Sequence, residues 1–272
     1  GRPLGDVCQS MFFFNQKIYI VVNNSGKVEV VDATSFQSEA TISGFGSPRY
    51  FLPISNRTAY VTDLFADAIS IVDPSSQSIE GSIPCDGWTE EMALAYGKVF
   101  VTNRLSDQLL VINTTNNNIE DSISIGYGAA SIVEDRDGKL WALCSGRESI
   151  GEPAGLYRVD PIDLQLEQAL LFSDLEDSPS RLNINGSLDS LYYLNNGVYR
   201  LSIYDATLPE SDFIPADDEV FYGLGIDLRT GDVYVADAID YVQRGLVYVY
   251  RSNGELKDEF LAGIIPGNFY FN

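Results

Sequence analysis

The side chains of this chain that could do chemistry are carboxylates, arginines and aromatic rings, because histidine is absent altogether. That absence removes the commonest general base, the commonest metal ligand and every Ser-His or Cys-His nucleophile pair. Cys8, Cys85 and Cys144 are odd in number and lack a CxxC spacing, so neither a disulfide framework nor a zinc site is signalled. Burial as strand thiols is expected for Cys8 and Cys144. Glu90 and Glu91 could in principle share acid and base work, as paired carboxylates do in glycoside hydrolysis. Neighbours on a strand point to opposite faces, which argues against that pair. The fragment Asp135-Arg136-Asp137-Gly138 resembles the start of a calcium loop, but it lacks the remaining ligands and reads as a hairpin turn. No cofactor is expected, and no enzyme activity; a bound cation among the carboxylates is left open and unassigned.

These groups are positioned by a repeat. Tyr19, Tyr60, Phe100, Trp141, Tyr192 and Tyr234 mark the middle of one apolar strand in each of six units, at steps of 41, 40, 41, 51 and 42 residues. An inner strand precedes each marker, around Met11, Leu52, Met92, Val133, Ile184 and Ile226. A third strand follows in KVEVVD, AISIVD, LLVIN, LYRVD, VYRLSIYD and LVYVY, and a fourth begins near Ala40, Gly81, Ser122, Ala169, Phe213 and Glu259. Short strands bounded by Gly, Pro, Asn and Asp, four to a period of this length, predict an all-β propeller of four-stranded blades. The expected blades are 7–44, 48–84, 89–125, 130–172, 181–215 and 223–262, in a single domain spanning 1–272. Residues 267–272 read as the inner strand of a further blade, so that a native product of seven blades is expected, with the missing strands upstream.

A four-stranded meander puts the turns between second and third strands, and the links between blades, on one rim; the other turns fall on the opposite rim. The second rim carries short polar turns such as NQK, SNR, PSSQS and TTNNN, which look structural. The first rim carries the two long insertions, SGRESIGEPAG and DAIDYVQRG, and a concentration of aromatic and Arg residues. Such side chains give large contact area for modest entropy loss. By position, Arg49, Tyr50, Phe65, Trp88, Glu90, Asn103, Arg104, Tyr127, Arg147, Arg181, Tyr222, Asp237, Tyr241 and Arg244 are the candidate ligand-binding residues, over the central funnel.

The balance of 17 basic against 39 acidic residues, a formal charge of -22, makes nucleic acid a poor partner. An apolar share of 45% is enough for a packed core. No apolar run is long enough to span a bilayer, and the segment Gly1 to Val7 has no signal-peptide pattern. With no initiating Met, the sequence reads as a mature or trimmed product.

The blocks AYVTDLFADAISIVDPSSQSIEGSI and VFVTNRLSDQLLVINTTNNNIEDSI resemble the YVTN-type propeller repeat, through Tyr60-Val61-Thr62-Asp63 and Phe100-Val101-Thr102-Asn103. The opening GRPLGDVCQSMFFFNQKIYIVVNNSGKVEVVD is similar to surface-layer-type propellers of gut Bacteroidetes. That resemblance implies a non-catalytic outer-surface lipoprotein of the kind that captures cobamides, the vitamin B12 class. It also implies hand-over to a TonB-dependent outer-membrane transporter and membrane contact only through an upstream lipid anchor. A surface-layer-type module binding protein or glycan is the alternative. The repeat motif is structural, so no individual binding residue is transferred by the resemblance.

Overall fold

The computed structural model describes residues 4–271, which form β-strands with only two short 3-10 turns. They fall into two compact units, residues 1–124 and 125–272. The first unit contains three antiparallel four-stranded meanders. These are β1 to β4 (Cys8–Phe14, Lys17–Val22, Lys27–Asp32, Ser38–Ser43), β5 to β8 (Pro48–Ser55, Thr58–Asp63, Ala68–Asp73, Ser78–Pro84), and β9 to β12 (Thr89–Ala95, Lys98–Asn103, Gln108–Asn113, Asn118–Ser124). The second unit contains β13 to β16 (Ala129–Glu134, Leu140–Cys144, Gly155–Asp160, Gln165–Leu171), β17 to β19 (Ser180–Ile184, Ser190–Asn195, Gly197–Ser202) and β20 to β23 (Phe221–Ile226, Val233–Asp237, Arg244–Tyr250, Leu256–Ile264). No helix is long and apolar enough to cross a membrane among the described residues.

The second strand of each blade is apolar at nearly every position because both of its faces are buried. Along β6, Ala59 and Val61 join Tyr19, Val28 and Phe51 in one core, while Tyr60 joins Ile83, Val99 and Val101 in the next. In the second unit, Leu191 and Tyr193 of β18 pack with Trp141 and Leu156, and Tyr192 and Leu194 pack with Leu224 and Val235. The period of two therefore feeds two cores, one on each side of the sheet. Each such side chain contributes about 1.5–3 kcal/mol by leaving water.

Two places depart from the four-stranded pattern. The fifth blade has three strands, not four: beyond β19 only Phe213 and Ile214 bond to the backbone of Val198. Pro209 and Pro215 offer no N–H to a ladder, and the acidic residues between them favour solvent over an edge. Residues Gly267–Phe271 form no strand; Asn272 lies outside the described residues. Phe269 and Phe271 instead lay their rings on Tyr234, at 5.8 and 4.9 Å.

The fragment at Asp135 is a hairpin turn whose first carboxylate is buried. Asp135 accepts the Trp141 indole N–H at 2.9 Å, the Arg158 guanidinium at 3.1 Å and the amides of Asp137 and Lys139.

All three thiols are free, and the expectation for Cys8 is corrected: it is exposed at the start of the first strand, while Cys85 and Cys144 are buried. Burial pushes the Cys85 thiol up to about 11 and that of Cys144 higher still, so both are protonated at neutral pH. Maleimide at pH 7.5 is therefore expected to label one thiol of the native protein, Cys8, and all three in guanidinium. Intact-mass spectrometry checks this, and rapid native labelling at Cys144 would contradict the burial.

Candidate functional site

The loops that carry the candidate residues are built by one recurring device at the end of four of the second strands. Asp63 accepts the amides of Gly46 and Ser47 in the link before its blade, and those of Phe65 and Ala66 in the turn after it, at 2.8–3.1 Å. Asn103 donates to the Asp86 carbonyl at 2.8 Å and accepts the Leu105 amide at 2.9 Å. Asp237 accepts the amides of Val220 and Ile239 at 3.0 and 2.7 Å. At the same position in the fifth blade, Asn195 donates to the Asp177 carboxylate at 2.7 Å. Main-chain bonds repeat the clasp: Leu64 to Ser47, Arg104 to Trp88, Ser145 to Gly128 and Ala238 to Val220. One residue thus pins the interblade link to the turn between second and third strands. Asn103 and Asp237, both candidate residues, are engaged with the loop backbone through these bonds.

A bulge adds to this shaping. In every blade the pairing of first and second strands slips near its link end, as between Val101 and Asn103. The motif threonines cover the slip: Thr62 accepts the Tyr50 amide at 3.0 Å, and Thr102 donates to the Glu91 carbonyl at 3.0 Å. Glu90 and Glu91 lie in such a bulge, where simple alternation of faces does not hold. What holds them apart in role is Arg49, which binds both oxygens of the buried Glu90 carboxylate at 2.7–3.1 Å.

In the first unit the structure gathers Arg49, Trp88, Glu90 and Arg104. Both guanidiniums lie against the Trp88 ring, at 5.5 Å for Arg49 and 4.8 Å for Arg104. Gln9, which the sequence did not single out, accepts from Arg49 at 2.8 Å. The buried Trp88 Nε1 has no acceptor among the described residues. Tyr50 is half-buried beside this group, and Phe65 stands 75% exposed on the neighbouring turn.

In the second unit two further pairs form. Arg147 lies over Tyr127 at 5.0 Å and donates to its hydroxyl at 2.8 Å. Its loop is closed by a reciprocal pair of main-chain bonds with Glu152. Arg181 lies over Tyr222 at 5.2 Å, and Tyr222 meets Tyr241 edge to face at 5.8 Å. Arg244 is elsewhere: it donates to the carbonyls of Leu261 and Ala262 and ties the outer strands together.

The cations differ in their partners, and not by loop set alone: Lys27 and Arg49 bind Glu29 and Glu90, and Arg200 rests on the Phe213 ring. Lys17, Lys98, Lys139, Arg158 and Lys257, near the turns of the other set, pair with Glu39, Glu120, Asp160, Asp135 and Asp232. Arg104, Arg147 and Arg181 pair with no carboxylate among the described residues and rest on rings instead. In a chain with a formal charge of -22, unneutralised guanidiniums at three corresponding places form an anion-attracting pattern.

The second unit also holds an acidic cavity of about 580 Å³, lined by Asp174, Glu176, Asp177, Asn195, Tyr199 and Asp212. The missing fourth strand of the fifth blade leaves this space. Burial, then the charges of Asp212 and Asp177, raises the Tyr199 phenol above its ordinary range. No group of three or more Cys, Asp or Glu side chains is arranged to hold a metal ion among the described residues.

These sheets define an all-β, six-bladed propeller of antiparallel strands. The chain belongs to the family described as a domain of unknown function (DUF5074), whose model matches residues 1–269. No curated protein matches. Among solved structures it is similar to the hydrazine synthase of Kuenenia stuttgartiensis, at 13% identity and a TM-score of 0.74, over 97% of this chain and 87% of that one. It is also similar to a quinoprotein alcohol dehydrogenase-like protein of Bacteroides thetaiotaomicron, at 16% identity and a TM-score of 0.76, over 97% and 68%. At these identities the likeness is one of fold.

Replacing Asp63 by Ala removes the acceptor of four main-chain amides and is expected to destabilise the chain by about 3 kcal/mol. Asp63→Asn, which keeps an acceptor oxygen, is expected to lose less than half of that. Urea unfolding of both variants checks the order.

Proposed function

We propose that this protein is a non-catalytic, cell-surface binding propeller that captures a small molecule on its link-side loops. The observation that carries the reading is a motif found in each unit by itself: Arg104 in the first, and Arg147 and Arg181 in the second, rest on Trp88, Tyr127 and Tyr222 without carboxylate partners among the described residues. Rings and guanidiniums held this way present flat apolar area beside a fixed donor fork. The buried Trp88 N–H adds a donor that a bound oxygen would satisfy, worth about 1–3 kcal/mol.

The ligand we propose is a cobamide, with its broad conjugated face, amide-rich edge and phosphodiester. The resemblance of the repeat to surface-layer-type propellers supports that choice and the accompanying roles: an outer-membrane lipoprotein that hands its cargo to a TonB-dependent transporter. A second reading, a surface-layer-type module for protein or glycan, draws on the outward side chains of Phe65 and Val242, 75% and 74% exposed.

Isothermal titration with cyanocobalamin tests the first reading. Saturable binding is expected, weakened about tenfold or more by Arg104→Ala or Arg181→Ala at unchanged melting temperature. Absence of heat and of affinity refutes capture of that ligand, and binding to a glycan or protein partner that depends on Phe65 would favour the second reading.

A further inference from the structure

A second cavity lies in the second unit at the opposite end of the inner strands from the Arg–aromatic pairs. It has a volume of about 470 Å³, within the usual range for small-molecule sites. Along β20, Tyr222 belongs to the first set of loops and Ile226 to this cavity, about 13 Å further on. Its walls are Val133, Ile184 and Ile226 from three neighbouring inner strands, Leu228 from the turn after β20, and the rings of Phe269 and Phe271.

Two glycines shape it. A Cβ on Gly225 would stand 2.8–3.1 Å from Cβ, Cδ2 and Cγ of Phe269, so only glycine lets this ring lie on β20. A Cβ on Gly186 would come within 1.8 Å of the Leu228 carbonyl oxygen, so the turn after β17 abuts the turn after β20. Phe269 and Phe271 are nearly parallel, 16° apart with centroids at 6.3 Å, and Tyr234 backs both. The wall they make is flat and apolar.

One polar group of this lining is incompletely used. Asn183 donates through Nδ2 to the carbonyls of Arg181 and Leu224, at 3.0 and 3.2 Å. Its Oδ1 accepts no hydrogen bond among the described residues. The nearby Asp227 carboxylate accepts the Arg229 amide at 2.9 Å, while the Arg229 guanidinium, 3.7 Å from it, reaches into solvent. No unneutralised charge within the walls calls for a charged ligand.

We propose that this cavity binds a flat, uncharged, apolar molecule of two or so fused or linked aromatic rings, carrying one hydrogen-bond donor for Asn183 Oδ1. Apolar walls give affinity by removing ring surface from water, and the single acceptor sets orientation. The site is separate from the loops argued to capture a cobamide and stands whether or not that reading holds.

Fluorescence titration with N-phenyl-1-naphthylamine, a neutral two-ring probe with one N–H, tests it. The expected result is saturable, blue-shifted emission from one site per chain. Ile184→Trp, which fills the space, should weaken binding at least tenfold, and Leu166→Ala on the exposed outer strand should leave it unchanged. Asn183→Leu should weaken the probe but not its N-methyl analogue. Should Ile184→Trp fail to fold by circular dichroism, Val133→Phe takes its place under the same criterion. A folded cavity-filling variant that binds as well as the parent, or the absence of saturable binding to the parent, overturns the proposal.

Discussion

The structure depends on a strand that must be covered on both faces. In β6, β10 and β18, successive side chains are apolar and fully buried, so neither face of the sheet can be left to water. A lone four-stranded sheet of this composition would expose an apolar face on each side. For β6 and β18, packing against the sheets before and after them within the same unit removes that cost, and the repetition of the sequence follows from the repetition of this need. Where the outer strand is lost, in the fifth blade, the core is unaffected because Leu191, Tyr193, Tyr192 and Leu194 lie on the second strand.

Once the strands are placed, the loops are decided by backbone polar groups. A link between blades brings amides and carbonyls into a place where strand pairing has ended, and buried groups of this kind require partners. The residue closing three of the second strands supplies them, as a carboxylate in Asp63 and Asp237 and as an amide in Asn103. This explains why the last letter of the repeated motif is Asp or Asn.

With the links pinned, the remaining side chains of these loops are free to differ. The acidic surface makes the difference visible: Lys17, Lys98, Lys139 and Lys257 near the hairpin turns are neutralised by carboxylates, while Arg104, Arg147 and Arg181 on the link-side loops stack on rings. Such stacking fixes the guanidinium without cancelling its charge. The apolar cavity arises by another route, from packing of the segment after β23 onto β20, where Gly225 permits the approach.

The periodicity of apolar residues determined the strands and their order in an all-β propeller, because alternation and turn chemistry are local properties. It also located the loops on which Arg and aromatic residues concentrate. Sequence could not say that Arg49 would be spent on Glu90 or Arg244 on the carbonyls of β23, since each partner lies 17 or more residues away. Nor could it foresee that Asn103 and Asp237 would turn inward, that Cys8 would be exposed, or that Phe269 would leave the strand pattern and wall a cavity. Those outcomes turn on which groups meet across separate strands and loops, a competition for partners that the chain resolves only when its blades are packed.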